Sequence, residues 1–375
     1  MSKSFYSLGL MSGTSMDGVD VSLIKSDGLS KYNTISNKYF EYDKNLYEGL
    51  TNIRDKINNS EDLKILLNDI KSIEKKITLF HAEAVNEMTK KLTVKIDLIG
   101  FHGQTIFHNS DEKISRQLGD GKLLSQLTKK TVVYNFREND LDNGGEGAPL
   151  APIFHQLMVK ENKIDLPVCI LNIGGIANIT ALNSYEPKDL KSYDIGPGNC
   201  LIDEWVRKKT KKKYDDNGQI AKTGKTSEII LNQALDNFDN RKNKNSLSFD
   251  TKDFDLNFVR GLSLEDGAAT LTDYSGRIVG AALFSLLSRA NDKLWKILVC
   301  GGGRKNTTLM NHIKKRTLKN LVIQVIDDYD IDGDFVESQA FAYLAIRSYL
   351  KLPISFPETT GCSEPCTGGV IVENF

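Results

Sequence analysis

Glycine-rich segments of the sequence combine backbone donors with hydroxyl and carboxylate side chains. The first segment consists of Gly13, Thr14, Ser15, Met16, Asp17, Gly18, Val19 and Asp20. Glycine lets backbone N–H groups approach phosphate oxygens, and Thr14 and Ser15 add hydroxyl donors. Asp17 and Asp20 suit Mg²⁺, directly or through water, because this ion prefers carboxylate oxygen and keeps most of its water shell. The segment predicts a site for the phosphate tail of a nucleotide.

An ordinary hairpin turn is the alternative for this segment, since turns also favour Gly, Ser and Asp. A normal hairpin tip has about two to five residues. The stretch from Ser12 to Gly18 has seven. The excess length favours the functional interpretation.

The second segment is Asp194–Asn199, which reads DIGPGN. Its proline and two glycines predict a tight turn with exposed N–H groups, and a helix starting near Cys200 would point its positive end to the same place. A carboxylate beside bound phosphate is repelled unless it does chemistry, such as deprotonating a nucleophile. Asp194 is therefore the candidate catalytic base. The alternative is a helix-capping turn, with Asn199 as the cap and Asp194 incidental.

Glycines also follow two predicted strands of the second half. Gly301, Gly302 and Gly303 come after the apolar run 296–300, and Gly174 and Gly175 come after the run 168–173. Three consecutive glycines suit a flat ring or a ribose lying against the backbone, although a flexible connector is the alternative. The segment 218–226 resembles a P-loop, but five residues separate its glycines where the motif requires four. A P-loop is therefore excluded.

Two single residues are further candidates. His102 follows the predicted strand 97–101, and strand ends are where α/β sheets place functional groups. Its alternative role is structural. Glu337 lies at the start of a predicted helix over 335–350 and either favours the helix N-terminus or binds sugar hydroxyls.

The composition excludes several classes of function. Lys plus Arg and Asp plus Glu both number 49, so no global charge would hold nucleic acid or an anionic membrane. The five cysteines are an odd number without framework spacing, which indicates a reducing compartment. Cys362 and Cys366 lack a second pair or a nearby histidine, so a zinc site is not expected. The N-terminus has no long apolar run, and the expected location is the cytoplasm.

The elements that position these residues repeat along the chain. A strand, a glycine turn and a returning strand are predicted over 6–23 and again over 168–182, which indicates an internal duplication. Helices are predicted over 62–92, 275–290, 306–316 and 335–350, and the polar stretch 222–257 is expected to be irregular or surface helix. Strands that alternate with helices predict an α/β protein with mixed sheets. We expect domains over 1–135 and 136–351, with 352–375 returning to the first.

The order of motifs over nearly the whole chain resembles the anhydro-N-acetylmuramic acid kinase family, within the actin-like ATPases and sugar kinases. The residues that carry the resemblance are Gly9–Asp20, Phe101–Thr105, Asn135–Arg137, Gly147–Leu150, Asn172–Thr180, Asp194–Asn199, Glu265–Thr272, Gly301–Gly303 and Glu337–Ala342.

The resemblance implies two actin-like (ribonuclease H-like) domains around an ATP cleft, usually in a homodimer. It implies ATP and Mg²⁺ as cofactors, with ATP held by residues 13–20, 174–175 and 301–303. The substrate would be a 1,6-anhydro amino sugar released in peptidoglycan recycling. Asp194 would be the catalytic base, and His102, Arg137, Asp194 and Glu337 would contact the sugar.

Two departures from the family pattern are Glu146, where Gln is expected, and Ile195, where Thr is expected. The stretch 245–258 also fits the family poorly. Two other functions stay open at this point: another sugar or acid kinase of the same superfamily, and a non-catalytic ATP switch.

Overall fold

A computed structural model of the chain describes residues 3–90, 92–242, 248–287, 294–316 and 321–375. Residues 91, 243–247 and 288–290 of the helices and stretches predicted above lie outside the described residues. Contacts divide the chain into two compact units. Unit 1 comprises the residues up to Ile164 together with Tyr185–Leu190 and Asp334–Phe375, and unit 2 comprises Asp165–Ser184 and Lys191–Gly333.

Strands and helices alternate along much of the chain. The strands are β1 Phe5–Ser12, β2 Gly18–Ser26, β3 Tyr32–Glu41, β4 Leu98–Asn109, β5 Ile114–Leu118, β6 Thr131–Tyr134, β7 Val168–Ile173, β8 Ile176–Leu182, β9 Leu190–Pro197, β10 Trp295–Cys300, β11 Leu321–Val325 and β12 Val370–Val372. The helices are α1 Lys44–Lys56, α2 Ser60–Ile65, α3 Leu67–Thr89, α4 Gly121–Thr128, α5 Glu138–Asp142, α6 Pro152–Glu161, α7 Cys200–Lys209, α8 Gln219–Thr223, α9 Glu228–Lys242, α10 Leu264–Leu287, α11 Thr307–Lys314, α12 Val336–Tyr349 and α13 Pro357–Thr360.

Each unit is built on a mixed sheet. The sheet of unit 1 has the order β12-β6-β4-β1-β2-β3, with β5 paired to β4, and the sheet of unit 2 has the order β11-β10-β7-β8-β9. In both, a hairpin of antiparallel strands is followed by parallel strands: β4 pairs in parallel with β1 and β6, and β10 pairs in parallel with β7 and β11. The same strand order occurs twice, as the internal duplication predicts. The prediction of an α/β protein with two mixed sheets flanked by helices is confirmed.

Helix α12 lies directly against the sheet of unit 1. Its residues are buried almost all round, as expected for a helix that is apolar on most faces. A Cβ added at Gly9 would lie 1.8 Å from the carbonyl oxygen of Ser338, and one added at Gly100 would lie 2.1 Å from that of Phe341. Glycine in β1 and β4 therefore lets the helix backbone touch the strands. This contact fixes the height of Glu337 above the sheet.

Several elements differ from the sequence-based expectation. The tip between β1 and β2 has five residues, 13–17, because Ser12 and Gly18 belong to the strands. The expected excess length of this hairpin tip is therefore wrong. The apolar helix expected to begin at residue 275 begins at Leu264. The polar stretch 222–257 agrees with the expectation of irregular structure or surface helix, since its described residues include α9 and short 3₁₀ turns. Strands β3, β5 and β9 are absent from the sequence-based prediction.

Residues 136–164 pack within unit 1, whereas the expected domain boundary lies at residue 135. That boundary and the expected ATP cleft stay predictions. Among the described residues, no helix combines the length and the apolar character that a membrane crossing requires.

Candidate active site

The tip between β1 and β2 is anchored by one buried side chain and exposes two hydroxyl groups to solvent. Thr14 and Ser15 are exposed, while Met16 is buried and has a positive φ of 58°. The N–H of Met16 donates to the carbonyl of Gly13 at 3.2 Å. The buried Met16 side chain anchors the tip, and its left-handed backbone turns the preceding residues outwards. The hydroxyl groups of Thr14 and Ser15 are therefore accessible from solvent.

The strand that carries His102 supports the same tip. The Gln104 side-chain amide donates to the carbonyl of Gly13 at 3.0 Å, and Gln104 Oε1 lies 2.7 Å from Ser12 Oγ. Ser12 Oγ also lies 2.8 Å from the buried hydroxyl of Tyr42. This buried hydrogen-bond network holds the end of β1 in place. Gln104 on β4 therefore stabilises the tip between β1 and β2.

The two candidate magnesium carboxylates differ in position. Asp17 lies on the tip and accepts a hydrogen bond from Ser15 Oγ, whereas Asp20 is within β2 opposite Met11. Both are partly exposed. Partly exposed carboxylate oxygens fit the donor preference of Mg²⁺, which binds protein through few direct ligands and several waters.

In unit 2, the glycine turn between β7 and β8 receives the end of β9. The N–H groups of Gly198 and Cys200 donate to the carbonyl of Gly175 at 2.9 and 3.1 Å, and that of Asn199 donates to Gly174 at 2.9 Å. The expectation that the turn after Asp194 exposes these N–H groups is therefore wrong. Because β9 continues through Pro197, its end packs against the neighbouring turn. Helix α7 does begin at Cys200, as expected.

Asp194 lies within β9 and is half-buried. Its Oδ2 accepts a hydrogen bond from the backbone N–H of Phe249 at 2.9 Å. A donor to the charged form of a carboxylate stabilises that form. Sequence reasoning missed Phe249, because a backbone amide donates whatever side chain it carries. It lies in the described part of the stretch that fits the family poorly.

The three glycines after β10 have different surroundings. A Cβ at Gly301 would lie 2.4 Å from Asn172 Oδ1, and one at Gly303 would lie 2.2 Å from Ile173 Cγ2. Gly301 also has a φ of +77°. These two glycines allow close packing against β7. A Cβ at Gly302 would meet nothing within 4 Å, so Gly302 is the one of the three that faces open space.

His102 and Arg137 are in direct contact in unit 1. An arginine nitrogen can only donate, so Arg137 Nη2 donates to His102 Nε2 at 2.9 Å. His102 Nδ1 then carries the proton and donates to the carbonyl of Gly103 at 2.9 Å. Burial and the neighbouring Arg137 guanidinium hold the pKa of His102 well below its usual range. The imidazole is therefore neutral. The structure brings together His102 and Arg137, two of the residues that the family resemblance assigns to sugar binding.

A pocket of about 340 Å³ opens beside this pair within unit 1. Its lining includes His102, Tyr134, Asn135, Glu138, Lys113 and Gln117. Neutral hydrogen-bonding groups and charges of both signs surround it, which suits a small polar ligand with several hydroxyls. Glu337 lies elsewhere in unit 1, half-buried in the first turn of α12.

A sequence model of one family, described as anhydro-N-acetylmuramic acid kinase, matches residues 5–374. The chain belongs to this family. The expected enzyme class, a kinase that transfers a phosphoryl group from ATP to an alcohol, is confirmed by that membership.

Curated relatives in the family are similar over their whole length. The anhydro-N-acetylmuramic acid kinase of Pelagibacter ubique is 60% identical over 375 residues and covers 100% of both chains. The enzyme of Zymomonas mobilis is 41% identical, with 97% of this chain and 98% of the relative covered, and that of Agrobacterium fabrum is 37% identical with the same coverage. Among solved structures, component A of Acidaminococcus fermentans (R)-2-hydroxyglutaryl-CoA dehydratase is similar with a TM-score of 0.44 and 11% identity, over 92% of this chain and 100% of that chain.

The two departures from the anhydro-N-acetylmuramic acid kinase pattern have different surroundings. Ile195 is fully buried in the hydrophobic core of unit 2, so it affects packing. Glu146 is partly exposed, and its N–H donates to the carbonyl of Thr360 at 2.9 Å.

Proposed function

We propose that this family member phosphorylates 1,6-anhydro-N-acetylmuramic acid with ATP, opens its anhydro bridge with water, and yields N-acetylmuramic acid 6-phosphate for peptidoglycan recycling. The match of the family to residues 5–374 is the observation that carries the proposal. The match covers nearly the whole chain, so the proposal does not rest on similarity over one short segment.

The tip of unit 1 would bind the phosphate tail of ATP. Its exposed Thr14 and Ser15 hydroxyls and its backbone N–H groups are donors to phosphate oxygen. Asp17 and Asp20 would hold Mg²⁺, which neutralises charge that develops on the transferred phosphoryl group. In unit 2, residues 174–175 and 301–303 would contact the nucleotide, with Gly302 leaving room for it.

Asp194 would act as general base. It would take a proton from water, whose oxygen then bonds to the anomeric carbon while the bond from that carbon to the bridging oxygen breaks. The freed 6-oxygen would attack the γ-phosphorus of ATP, and ADP would leave. The Phe249 N–H would hold the Asp194 carboxylate in orientation for this proton transfer.

His102, Arg137 and Glu337 would bind the sugar. The contact between Arg137 and His102 orients both side chains before substrate arrives. Preorganised donors are more effective than mobile ones, because no ordering cost is incurred on binding.

Mass spectrometry with ¹⁸O-labelled water tests the reaction. The protein is incubated with the anhydro sugar, ATP and Mg²⁺, and the product is fragmented. We expect one ¹⁸O at the anomeric hydroxyl and one added phosphate at the 6-oxygen. Phosphorylation of ordinary hexoses but not the anhydro sugar would identify a different sugar kinase. ATP hydrolysis that unfolded peptide stimulates and sugar does not would identify an ATP switch.

Mg²⁺ dependence and the homodimer are separate parts of the proposal. Activity should disappear with EDTA and return with added Mg²⁺. Light scattering coupled to size exclusion should give twice the chain mass of 41.9 kDa. The mass of a single chain would contradict the dimer and leave the reaction unaffected.

A further inference from the structure

Asp140 is a buried carboxylate close to the proposed sugar-binding residue Arg137. It lies in α5 and is 1% exposed. Its Oδ2 accepts from the N–H of Gly147 at 2.7 Å, and its Oδ1 accepts from Thr360 Oγ1 at 2.6 Å. Both oxygens are therefore engaged by the protein, as a buried charge requires.

The backbone from residue 145 to residue 147 wraps around this carboxylate. The N–H of Gly145 donates to the Asp140 carbonyl at 2.9 Å, and a Cβ at Gly145 would lie 2.2 Å from Asp140 Oδ2. Gly147 has a positive φ of 73°. The turn thus has glycine where contact and dihedral angle require it, and the Asp140 oxygen is the acceptor around which it closes.

The same peptide turn holds Arg137. Arg137 Nη1 donates to the carbonyl of Gly147 at 2.7 Å, while Nη2 donates to His102. A continuous series of hydrogen bonds thus runs from Asp140 through Gly147 to Arg137 and His102. If the Gly147 N–H loses its acceptor, the turn can rotate and the Arg137 guanidinium loses one of its two anchors.

We propose that Asp140 is a positioning residue that sets the orientation of Arg137 for binding the sugar. The inference rests on the proposed function, in which Arg137 contacts the substrate. Asp140 would act without touching substrate, through the backbone N–H and carbonyl on either side of the Gly147 Cα. The expected consequence is selective: binding of sugar depends on Asp140, and binding of ATP does not.

A metal site at the same place is the competing interpretation. The sulfur atoms of Cys362 and Cys366 and an oxygen of Asp140 lie within 4.8 Å of one another. Both Asp140 oxygens already accept hydrogen bonds, and Cys362 Sγ donates to the carbonyl of Glu364 at 3.2 Å. These contacts favour positioning over metal binding.

The test compares four variants at Asp140 and Arg137. In Asp140→Ala, KM for the anhydro sugar should rise about tenfold, the effect of losing one charge-assisted hydrogen bond. KM for ATP should change less than about twofold. Asp140→Asn keeps one oxygen for the Gly147 N–H, and the Thr360 hydroxyl can turn to accept from the new amide, so this variant should recover most of the sugar KM. The double variant Asp140→Ala/Arg137→Ala should be no worse than Arg137→Ala alone, because the two residues act in series.

Asp27 provides the matched control. It is also a buried carboxylate of unit 1 that holds a turn, with its Oδ1 accepting from the N–H groups of Leu29, Ser30 and Lys31. Asp27→Ala should lower the stability of the protein and leave KM for the sugar unchanged. Should Asp140→Ala not fold, Thr360→Val loosens the same carboxylate, and its sugar KM should rise about threefold with the ATP KM unchanged.

The outcomes separate the inference from the proposed function. A wild-type enzyme that does not phosphorylate the anhydro sugar overturns the proposed function. An active wild type whose Asp140→Ala variant keeps the sugar KM, or loses sugar and ATP binding equally, overturns the positioning role. So does additivity of the two alanine substitutions. A stoichiometric metal in the purified protein, with loss of sugar affinity on its removal, would replace positioning by the metal site.

Discussion

The backbone N–H of Phe249 donates to Oδ2 of Asp194 at 2.9 Å, from a position 55 residues further along the chain. This contact holds one oxygen of the proposed base in place. It also stabilises the ionised carboxylate, which is the form that accepts a proton.

Asp194→Asn should reduce kcat by about 10²–10⁴-fold, because the amide cannot take the proton from water. ATP affinity should stay within about twofold of wild type, since Asp194 is outside the proposed nucleotide-binding residues. A coupled assay for ADP measures the first quantity and isothermal titration calorimetry the second. Full turnover by this variant would remove Asp194 from the role of base.

Phe249→Pro should lower kcat about tenfold through loss of the N–H donor to Asp194. Phe249→Leu is the control, because it shortens the side chain but keeps the amide. Steady-state assays give kcat of both variants, and thermal unfolding gives their stability. Equal losses in both variants, together with equal losses of thermal stability, would assign the effect to packing of the Phe249 ring.

Gly303→Ala should reduce the stability of the protein, whereas Gly302→Ala should raise KM for ATP. The Cβ at position 303 would lie 2.2 Å from Ile173 Cγ2, so overpacking should destabilise that variant by about 1–3 kcal/mol. The Cβ at position 302 would meet nothing within 4 Å, so its stability should be unchanged while its KM for ATP rises. Denaturant unfolding and nucleotide titration measure the two effects. An unchanged KM for ATP in Gly302→Ala would place the nucleotide elsewhere.

The free energy of unfolding should fall as the pH is lowered from about 6.5 to about 4. Burial lowers the pKa of His81 and of His155 to about 4, and burial together with Arg137 lowers the pKa of His108 to about 3 and that of His102 in the same direction. Below pH 6.5 the unfolded chain therefore binds protons that the folded chain does not, which favours unfolding. Each of these histidines contributes at most about 1.4 kcal/mol per pH unit.

His81→Leu isolates one of these contributions. The side chain of His81 is fully buried, and its Nδ1 lies 2.8 Å from the carbonyl of Ile77. The slope of unfolding free energy against pH should fall by up to about 1.4 kcal/mol per pH unit, with the largest change near pH 5, whatever the change in stability at pH 8. Urea titrations at a series of pH values measure it. A slope equal to that of wild type would mean that His81 is protonated in the folded state.

Sequence patterns are most informative where apolar period and glycine occur together. The hairpin β1–β2, its counterpart β7–β8 and helix α12 follow from such patterns. Strand β3 gives no signal because it is partly exposed along most of its length and carries Lys, Asn and Tyr. Strand β9 contains Lys191, Ser192 and Asp194 and ends in Gly-Pro, a composition that is typical of a turn.

The residues of the candidate site also differ in how far the sequence predicts them. Asp194 can be proposed as a candidate from its residue type and its position, and Arg137 from the resemblance to the family. Their supporting contacts cannot, because the Phe249 amide and the Gly147 peptide have no side-chain signature. Nor does a triplet of glycines reveal that two of its members serve packing and one leaves space.

The direct backbone contact between α12 and strands β1 and β4 affects how the loss of activity in a variant should be interpreted. A single methyl group at position 9 would press on the carbonyl of Ser338 and displace the neighbouring Glu337. Inactive variants at Gly9 or Gly100 would then be scored as lesions of the reaction centre, although neither residue has a side chain that could take part in the reaction. Measuring protein abundance together with activity would distinguish variants that disrupt packing from variants that disrupt the chemistry.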